Sequence, residues 1–379
     1  MLYDNLEDSV VRTLRPFYFA KTDTAGRFRI ENVRAGTFKG FALKDENLNY
    51  KFDQANELIG FPDSLIVVSS DSSAPIELRL FGEQKVARLL DSDAEKYGQV
   101  KLIFNQPPPR TLKVDVENVG QKTVLEYDAD TLRVWYDLQN PTAWELYVSQ
   151  DTLWRDTVKV PALERGVYLR DLQLAMVEKP DSATVVRLNP DRSIQMKFTF
   201  PLVSYDTTKL HVYEDTIRRE IQPAILIDSL EPRRLSLRYP WKEDKVYQLE
   251  MLPEMVTDLY GLLNKDTLLV NYRIEPRKSF ATLQLTIDSL DADLNYVVQL
   301  LYQGSSLVEE FQVAGVNTYQ KQFKTLSPGA YTVQIITDYN NNGRWDTGNY
   351  DLKRQPEPII QRKLETLRAN WEVESKISL

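Results

Sequence analysis

The feature that most constrains this chain is an internal repeat whose two copies, residues 33–53 and residues 326–346, lie 293 residues apart. In each copy a glycine stands nine residues before an aspartate, Asp45 or Asp338, which opens a loop rich in aspartate and asparagine. A unit that recurs at both ends of one chain indicates a protein built from small modules of related design.

Both loops carry oxygen-bearing side chains in the register of a calcium-binding loop. With Asp45 or Asp338 as position 1, such side chains recur at positions 3, 5, 9 and 12, and position 7 offers its main-chain carbonyl. Hard oxygen ligands at this spacing favour calcium over zinc or copper. The candidate ligands are Asp45, Asn47, Asn49, Lys51, Asp53 and Asn56 in the first loop, and Asp338, Asn340, Asn342, Arg344, Asp346 and Asn349 in the second.

The sequence also sets limits on this calcium hypothesis. Each loop has only two aspartates in register, and asparagine replaces the usual glutamate at position 12. The expected affinity for calcium is therefore low, although Glu57 could substitute for the missing glutamate in the first loop. Position 6 is Gly343 in the second loop but Tyr50 in the first. The same residues also suit Asx turns that close a tight connection without an ion. Phe52 and Trp345, at one equivalent position, are predicted to anchor each loop in a core.

Between the two copies, alternation of apolar and polar residues is the dominant pattern. It occurs in Lys101–Phe104, Thr131–Tyr136, Trp144–Val148, Ser193–Phe198 and Tyr247–Met251, each separated from the next by turn-forming residues. Such alternation predicts strands with one face in a core and one in solvent, and hence an all-β protein of tandem β-sandwich modules.

The length of 379 residues accommodates four modules of ordinary size. We place their boundaries where polar stretches interrupt the strand pattern. The predicted modules are residues 1–82 and 279–379, which carry the loops, and residues 83–175 and 176–278, two Ig-like sandwiches between them. Short helices are predicted within Ala87–Lys96 and Leu252–Leu263.

Composition excludes several classes of function. A net charge of −8 without a basic cluster does not suit nucleic acid or an anionic membrane surface. The absence of cysteine excludes disulfides, thiolate metal sites and cysteine nucleophiles, and no signal peptide or run of apolar residues long enough to cross a membrane occurs. The only histidine, His211, lies in an alternating strand without a nucleophile motif near it, so we expect a protein that is not an enzyme.

Several motifs at both ends resemble one protein family. Residues 23–28, 33–38 and 41–45, together with the closing segments 346–350 and 368–373, are similar to envelope lipoproteins of Bacteroidota that combine bacterial Ig-like domains with prealbumin-like (carboxypeptidase-regulatory-like) domains. Phe200–Leu202 and Asp258–Asn264 resemble Ig-like strand and turn motifs. Compared with the family pattern, the signal, the lipidated cysteine and a first Ig-like domain are absent, so residues 1–82 are expected to be an incomplete prealbumin-like module.

The resemblance implies an extracytoplasmic, outer-membrane-associated protein, periplasmic or surface-exposed, that acts as a non-enzymatic structural or interaction module, such as a spacer or accessory subunit. Its expected partner is an envelope protein or a glycan, and membrane attachment would require a lipid anchor that this chain does not carry. The alternative is a carbohydrate-binding or adhesive surface protein, because sugars stack on exposed aromatic faces. Candidate aromatic residues within one short stretch are Trp135, Tyr136, Trp144, Tyr147 and Trp154.

Overall fold

The computed structural model describes residues 1–54, 56–69, 75–83, 87–116, 123–138, 142–150, 154–177, 179–180, 185–215 and 218–379, to which the structural statements below refer. Strands arranged in mainly antiparallel sheets dominate this part of the chain, which confirms the all-β class and the tandem β-sandwich architecture. The module boundaries remain a prediction, and we use them only to name the first to fourth modules.

The first module (residues 1–82) consists of short elements. They form one sheet in the order β1-β2-β5 and a β3-β4 hairpin, over a small aromatic core. Phe17 and Phe19 remain more than half exposed, and Val67 is 70% exposed. The elements are β1 Leu2–Tyr3, α1 Val10–Thr13, β2 Gly36–Gly40, β3 Ala42–Lys44, β4 Leu58–Gly60 and β5 Ile66–Val68.

The second module (residues 83–175) packs the sheet β6-β7-β10-β9 against the sheet β12-β11-β8. The alternation read from the sequence is realised here, because every second residue of Gln99–Phe104 is buried. The elements are β6 Leu89–Asp93, β7 Gln99–Phe104, β8 Lys113–Val116, β9 Val124–Asp128, β10 Thr131–Trp135, β11 Trp144–Gln150, β12 Trp154–Val160 and α2 Arg165–Leu169.

The third module (residues 176–278) contains the sheets β13-β15-β20-β19, β14-β23-β21-β17-β18 and β16-β22. Its strands are β13 Met176–Val177, β14 Val185–Leu188, β15 Ile194–Phe198, β16 Leu202–Tyr205, β17 Leu210–Glu214, β18 Arg219–Ile221, β19 Ala224–Ile227, β20 Arg234–Arg238, β21 Val246–Met251, β22 Val256–Asp258 and β23 Leu268–Ile274, with 3-10 turns at Thr207–Lys209 and Arg277–Ser279.

The fourth module (residues 279–379) packs the sheet β27-β24-β30 against the sheet β26-β25-β28-β29. Strands β24 and β30 run parallel, and the other pairs are antiparallel. The second loop of the repeat leaves the end of β28 and returns into β29. The strands are β24 Ala281–Asp288, β25 Asn295–Tyr302, β26 Ser306–Ala314, β27 Tyr319–Leu326, β28 Tyr331–Asp338, β29 Ile359–Lys363 and β30 Glu372–Ser378.

Both helix predictions were wrong. Residues 89–93 form an edge strand that pairs with β7, and residues 252–263 contain β22 and a tight turn at Gly261. In both places hydrogen bonding to a neighbouring strand outweighs local helix propensity, which is a weak influence compared with tertiary pairing.

Polar contacts join the second module to the third. Arg233 donates to Glu126 Oε1 from Nε and Nη2, at 2.9 and 2.6 Å, and the Trp135 indole donates to Oε2 of the same carboxylate at 2.9 Å. Nearby, the Tyr260 hydroxyl donates to the Gly98 carbonyl at 2.8 Å. Since Glu126 and Trp135 are buried, these contacts fix how the two modules meet.

The third and fourth modules meet around Asp191. Arg277 donates to both oxygens of this carboxylate, at 2.9 and 2.6 Å, which holds its pKa below the ordinary range. The Thr325 hydroxyl donates to Asp191 at 3.1 Å, and Asn189 Nδ2 donates to the Thr325 carbonyl at 2.9 Å. The Arg277 pair lies within the third module and fixes Asp191, and the contacts of Asp191 and Asn189 with Thr325 cross to the fourth module.

Candidate metal site in the paired loops

The two loops share one backbone design. Position 4, Leu48 or Asn341, has φ of 61° or 56°, and position 6, Tyr50 or Gly343, has φ of 64° or 75°. Left-handed φ values suit glycine and asparagine and cost energy for other residues. The first loop therefore adopts the same turns as the second with two less suitable residues.

In the second loop, side chains bond both to the backbone and to one another. The Asp338 carboxylate accepts the N–H groups of Asn342 and Gly343, at 3.1 and 2.7 Å. The amide nitrogens of Asn340 and Asn342 both donate to Asp346 Oδ2, the latter at 2.7 Å. Asp338 and Asp346 are buried, so the loop is folded around its two carboxylates.

The first loop repeats these bonds. Asp45 accepts the N–H groups of Asn49 and Tyr50, at 3.3 and 2.7 Å. The amide nitrogens of Asn47 and Asn49 donate to the two oxygens of Asp53, at 3.1 and 2.7 Å. The predicted ligands at positions 1, 3, 5 and 9 are therefore brought together in both loops.

A glutamate closes each loop: Glu57, which the sequence already suggested for the first loop, and Glu357, which was not among the predicted residues. Glu357 Oε1 accepts the Tyr339 N–H at 2.9 Å, and its Oε2 accepts the Asp346 N–H at 2.8 Å. Glu57 accepts the N–H groups at the same two positions of the first loop, at 3.4 and 2.9 Å. Glu57 stands directly before the strand that returns from its loop, and Glu357 stands one residue further from its strand, which was the available signal for Glu357.

Glu357 lies in an acidic environment. Burial is the main cause that raises the pKa of this carboxyl, and the nearby Asp346 and Asp338 raise it further. Arg344 Nε lies 3.7 Å from Asp346 Oδ1 and offsets part of this negative charge. The second loop thus contains three buried carboxyl groups, of which Asp338 and Glu357 accept backbone N–H groups and Asp346 accepts side-chain amides.

The other predicted ligands lie at different places. Lys51 and Arg344 donate their N–H groups to the position-5 asparagine of their own loop, at 2.7 and 3.0 Å. Asn56 is an exposed turn residue. Asn349 accepts the Leu352 N–H at 2.9 Å in a separate turn, so its side-chain oxygen serves that turn in the structure.

The donor set gives a direct test of fit for calcium. Within the described ranges, no three acidic or histidine side chains are grouped so as to hold a metal. A calcium ion would therefore need asparagine oxygens as ligands in addition to the aspartates. In both loops the amide nitrogens face Asp53 or Asp346, while each asparagine oxygen accepts a backbone N–H. As arranged, the asparagine oxygens do not face the carboxylates, so binding an ion would require these amides to turn over.

The predicted anchors differ from one another. Phe52 is buried at 7% exposure, as expected. Trp345 is 41% exposed, and its indole N–H donates a hydrogen bond to the Glu357 carbonyl at 2.9 Å. The prediction that Trp345 anchors the loop in a core was therefore wrong. The guanidinium of Arg12 covers the Phe52 ring at 5.3 Å, and Phe52 belongs to the core of the first module.

The aromatic cluster does not form an exposed platform. Trp135, Tyr136 and Trp144 are each less than 9% exposed. Tyr136 packs edge-on against Trp144, whereas Trp135 packs against Phe200 of the third module. These side chains therefore serve a core and a module junction.

His211 has the surroundings of an ordinary strand residue. It lies on β17, and its Nδ1 is 2.7 Å from Glu220 Oε1 on the paired strand β18.

In the described part of the chain, no helix is long and apolar enough to span a membrane.

No family model and no curated protein matches the chain. Among solved structures, dimeric latent PorU from Porphyromonas gingivalis aligns at 10% identity and a TM-score of 0.27 over 80% of this chain and 36% of that one. The Bacteroides ovatus mixed-linkage glucan utilization locus protein SGBP-B, in complex with a heptasaccharide, aligns at 11% identity and a TM-score of 0.15 over 69% and 64%. The chicken CNTN1 FN1-FN3 domains align at 10% identity and a TM-score of 0.15 over 75% and 98%.

The chain thus spans about a third of the length of PorU. At these TM-scores the alignments carry no argument about family or activity. The chain's own fold defines the class, which is an all-β protein of tandem β-sandwich modules with two copies of one Asp/Asn loop.

Proposed function

We propose that the chain is a non-enzymatic structural or interaction protein of the bacterial cell envelope, acting as a spacer or accessory module. The observation that carries the proposal is the set of side-chain contacts between successive modules. A protein that holds partners at a fixed separation needs such junctions, because modules joined only by flexible linkers move independently.

The junction at Glu126 is the strongest support for a rigid spacer. Glu126 is 7% exposed, and its two oxygens accept three hydrogen bonds, one from its own module and two from Arg233 of the next. Removing one partner from a buried ion pair leaves an unpaired charge and is strongly destabilising. The relative placement of the two modules is therefore coupled to folding.

We further propose that Ca²⁺ binds the paired loops and reinforces them. Asp338 and Asp346 would hold the ion in the second loop, and Asp45 and Asp53 in the first, together with the asparagine oxygens at positions 3 and 5. The ion would supply positive charge to carboxylates that now rely on N–H donors. This proposal is supported by the duplication of the network in two loops far apart in sequence.

We place the protein outside the cytoplasm and in association with the outer membrane, with an envelope protein as its partner. The test is cross-linking in intact cells, followed by fractionation and mass spectrometry of copurified proteins. The proposal predicts enrichment in the outer-membrane fraction with a defined protein partner. Recovery in the cytoplasmic fraction would contradict the location, and a partner-free monomer in the envelope would contradict the accessory role.

A second candidate function is glycan binding at the second loop. Tyr339 is 63% exposed and Trp345 is 41% exposed, and both belong to this loop. Exposed aromatic faces suit stacking on sugars. Affinity electrophoresis in envelope polysaccharides should then show retardation that Trp345→Ala abolishes, and equal migration of the two proteins in every polysaccharide would remove this candidate.

A further inference from the structure

The two loops differ by an insertion that the repeat does not explain. Three residues separate Asp53 from Glu57 in the first loop, whereas ten separate Asp346 from Glu357 in the second. Since Glu57 and Glu357 accept the same backbone N–H groups, the seven additional residues are not needed to close the loop.

The insertion places an aromatic side chain in the core of the first module. Tyr350 is 2% exposed, and its ring packs edge-on against Phe41 and Phe61 at centroid distances of 5.3 and 5.2 Å. Its hydroxyl donates to the Asp8 carbonyl at 2.8 Å, and its backbone N–H donates to Glu83 Oε1 at 2.7 Å. A buried tyrosine with its hydroxyl paired is a typical anchor residue.

Residues on both sides of Tyr350 make specific contacts as well. The Thr347 hydroxyl donates to the Gly82 carbonyl at 2.6 Å, and Gln355 Nε2 donates to the Phe61 carbonyl at 2.8 Å. Gly348 lies against Phe81, since a Cβ at this position would meet the ring at 2.6 Å. The segment 347–355 is thus matched to its site in shape and in hydrogen bonding.

Charge complementarity surrounds this apolar centre. Asp8 of the first module pairs with Lys353 Nζ at 2.8 Å and also with Lys39, and these hydrogen bonds lower the pKa of Asp8 to about 2. Arg12 lies 3.1 Å from Asp351. Rim charges of opposite sign orient a docking segment more than they contribute affinity.

We propose that the first module is a binding site for a short Gly-X-Tyr loop segment and that residues 347–355 occupy this site in cis as a releasable latch. The site is the aromatic cluster of Tyr3, Phe41, Phe61 and Phe81. Docking joins the first module to the last, which closes the ends of the chain on each other. A segment of the same chemistry on a partner, or on a second copy, could then exchange with the latch.

The latch is favoured in cis because its site and segment belong to one chain. Binding within one chain is unimolecular, so a docking interaction of modest affinity stays closed when the geometry allows both ends to meet. A free competitor would therefore meet an occupied site in the wild type, and binding in trans is best measured on a variant whose own segment is released.

The test uses the absence of cysteine in the chain. Thr22 and Ser306 are both exposed and can be replaced by cysteine for spin labelling. Pulsed electron paramagnetic resonance then measures the distance between the two labels, and so between the first and fourth modules. Tyr350→Ala should release the latch, and Gly348→Val should do the same independently by clashing with Phe81. Tyr339→Ala is the matched control, because this tyrosine belongs to the same loop and is exposed.

We expect a long, broad distance distribution for Tyr350→Ala and Gly348→Val, and a narrow one for the wild type and Tyr339→Ala. Amide exchange in Gly36–Gly40 should accelerate by about tenfold or more on release. A synthetic peptide of residues 345–357 should restore slow exchange in Tyr350→Ala without restoring the distance, and the same peptide with alanine for Tyr350 should not.

Two results would overturn the proposal. A narrow, unchanged distance in both released variants would show that the insertion does not hold the first module. Failure of the native peptide to restore slow exchange would show that Tyr350 is a fixed core residue and that the first module has no separable binding site.

Discussion

Replacing Asp258 with asparagine should change how the stability of the protein depends on pH. This side chain is completely buried beside the junction of the second and third modules. Its Oδ1 accepts the N–H groups of Tyr260 and Leu262, at 2.9 and 2.8 Å, while Oδ2 has no hydrogen-bond partner in the described part of the chain. Burial is the main cause that raises the pKa of this carboxyl to about 6 from an ordinary value of 3.8.

The magnitude follows from this shift in pKa. A shift of about two units corresponds to about 3 kcal/mol. Because the folded state holds the proton more tightly than the unfolded chain does, this stabilisation is complete below about pH 4 and is lost as the pH rises through about 6. Asparagine does not titrate, so Asp258→Asn should gain about 2 kcal/mol relative to the wild type between pH 4 and pH 7.5.

Urea unfolding of both proteins at pH 4, 5, 6 and 7.5 measures this difference. The difference in free energy of unfolding between the two proteins is taken at each pH, which cancels the contributions of the other titrating groups. Any cost of pairing the new amide does not depend on pH and drops out when the differences are compared. Asp206→Asn is the control, because hydrogen bonds from Thr208 lower the pKa of Asp206 and its effect has the opposite sign. A stability difference that stays constant with pH, or that changes in the opposite direction, would refute the reasoning.

Three further substitutions test the loops and the junction. Leu48→Gly should raise the free energy of unfolding by about 0.5 to 1 kcal/mol in urea titrations, because Leu48 is 76% exposed with φ of 61°; an unchanged or lower value would contradict this. Glu357→Gln should cost about 1 to 3 kcal/mol, since an amide accepts only one of the two N–H groups; an unaltered melting temperature would count against its closing role. Arg233→Ala should cost about 3 to 5 kcal/mol by removing the cation that pairs with Glu126, and Arg233→Met should cost about as much; a much smaller loss in Arg233→Met would show that side-chain shape, not charge, matters there.

The strands could be predicted because one physical rule sets them. A strand with one buried face alternates apolar and polar residues. The predicted segments Lys101–Phe104 and Tyr247–Met251 lie in strands, and Ser193–Phe198 does so from Ile194 onward. The helices predicted near residues 90 and 255 failed because pairing with a distant strand decides those segments. Local sequence carries little information about such a partner.

The contacts within the loops could be predicted for those positions whose spacing is the same in both copies. Positions 1, 3, 5 and 9 come together in both copies because the intervening turns are local. Glu357 could not be placed by spacing, since the insertion separates it from the loop it closes. The burial of Tyr350 against Phe41 and Phe61 is a contact between the ends of the chain, and nothing in the sequence near Tyr350 indicates its partners.

The reinforcement of the paired loops by calcium is tested most directly by calorimetric melting with and without the ion. For dissociation constants of about 0.1 to 1 mM, 10 mM calcium should stabilise each loop by about 1.4 to 2.7 kcal/mol. We predict a higher melting temperature for the wild type, a smaller rise for the Asp338→Ala, Asp346→Ala double variant, and little effect of magnesium. A wild-type melting temperature that calcium does not change would contradict the proposal and leave the repeat as a folding motif alone.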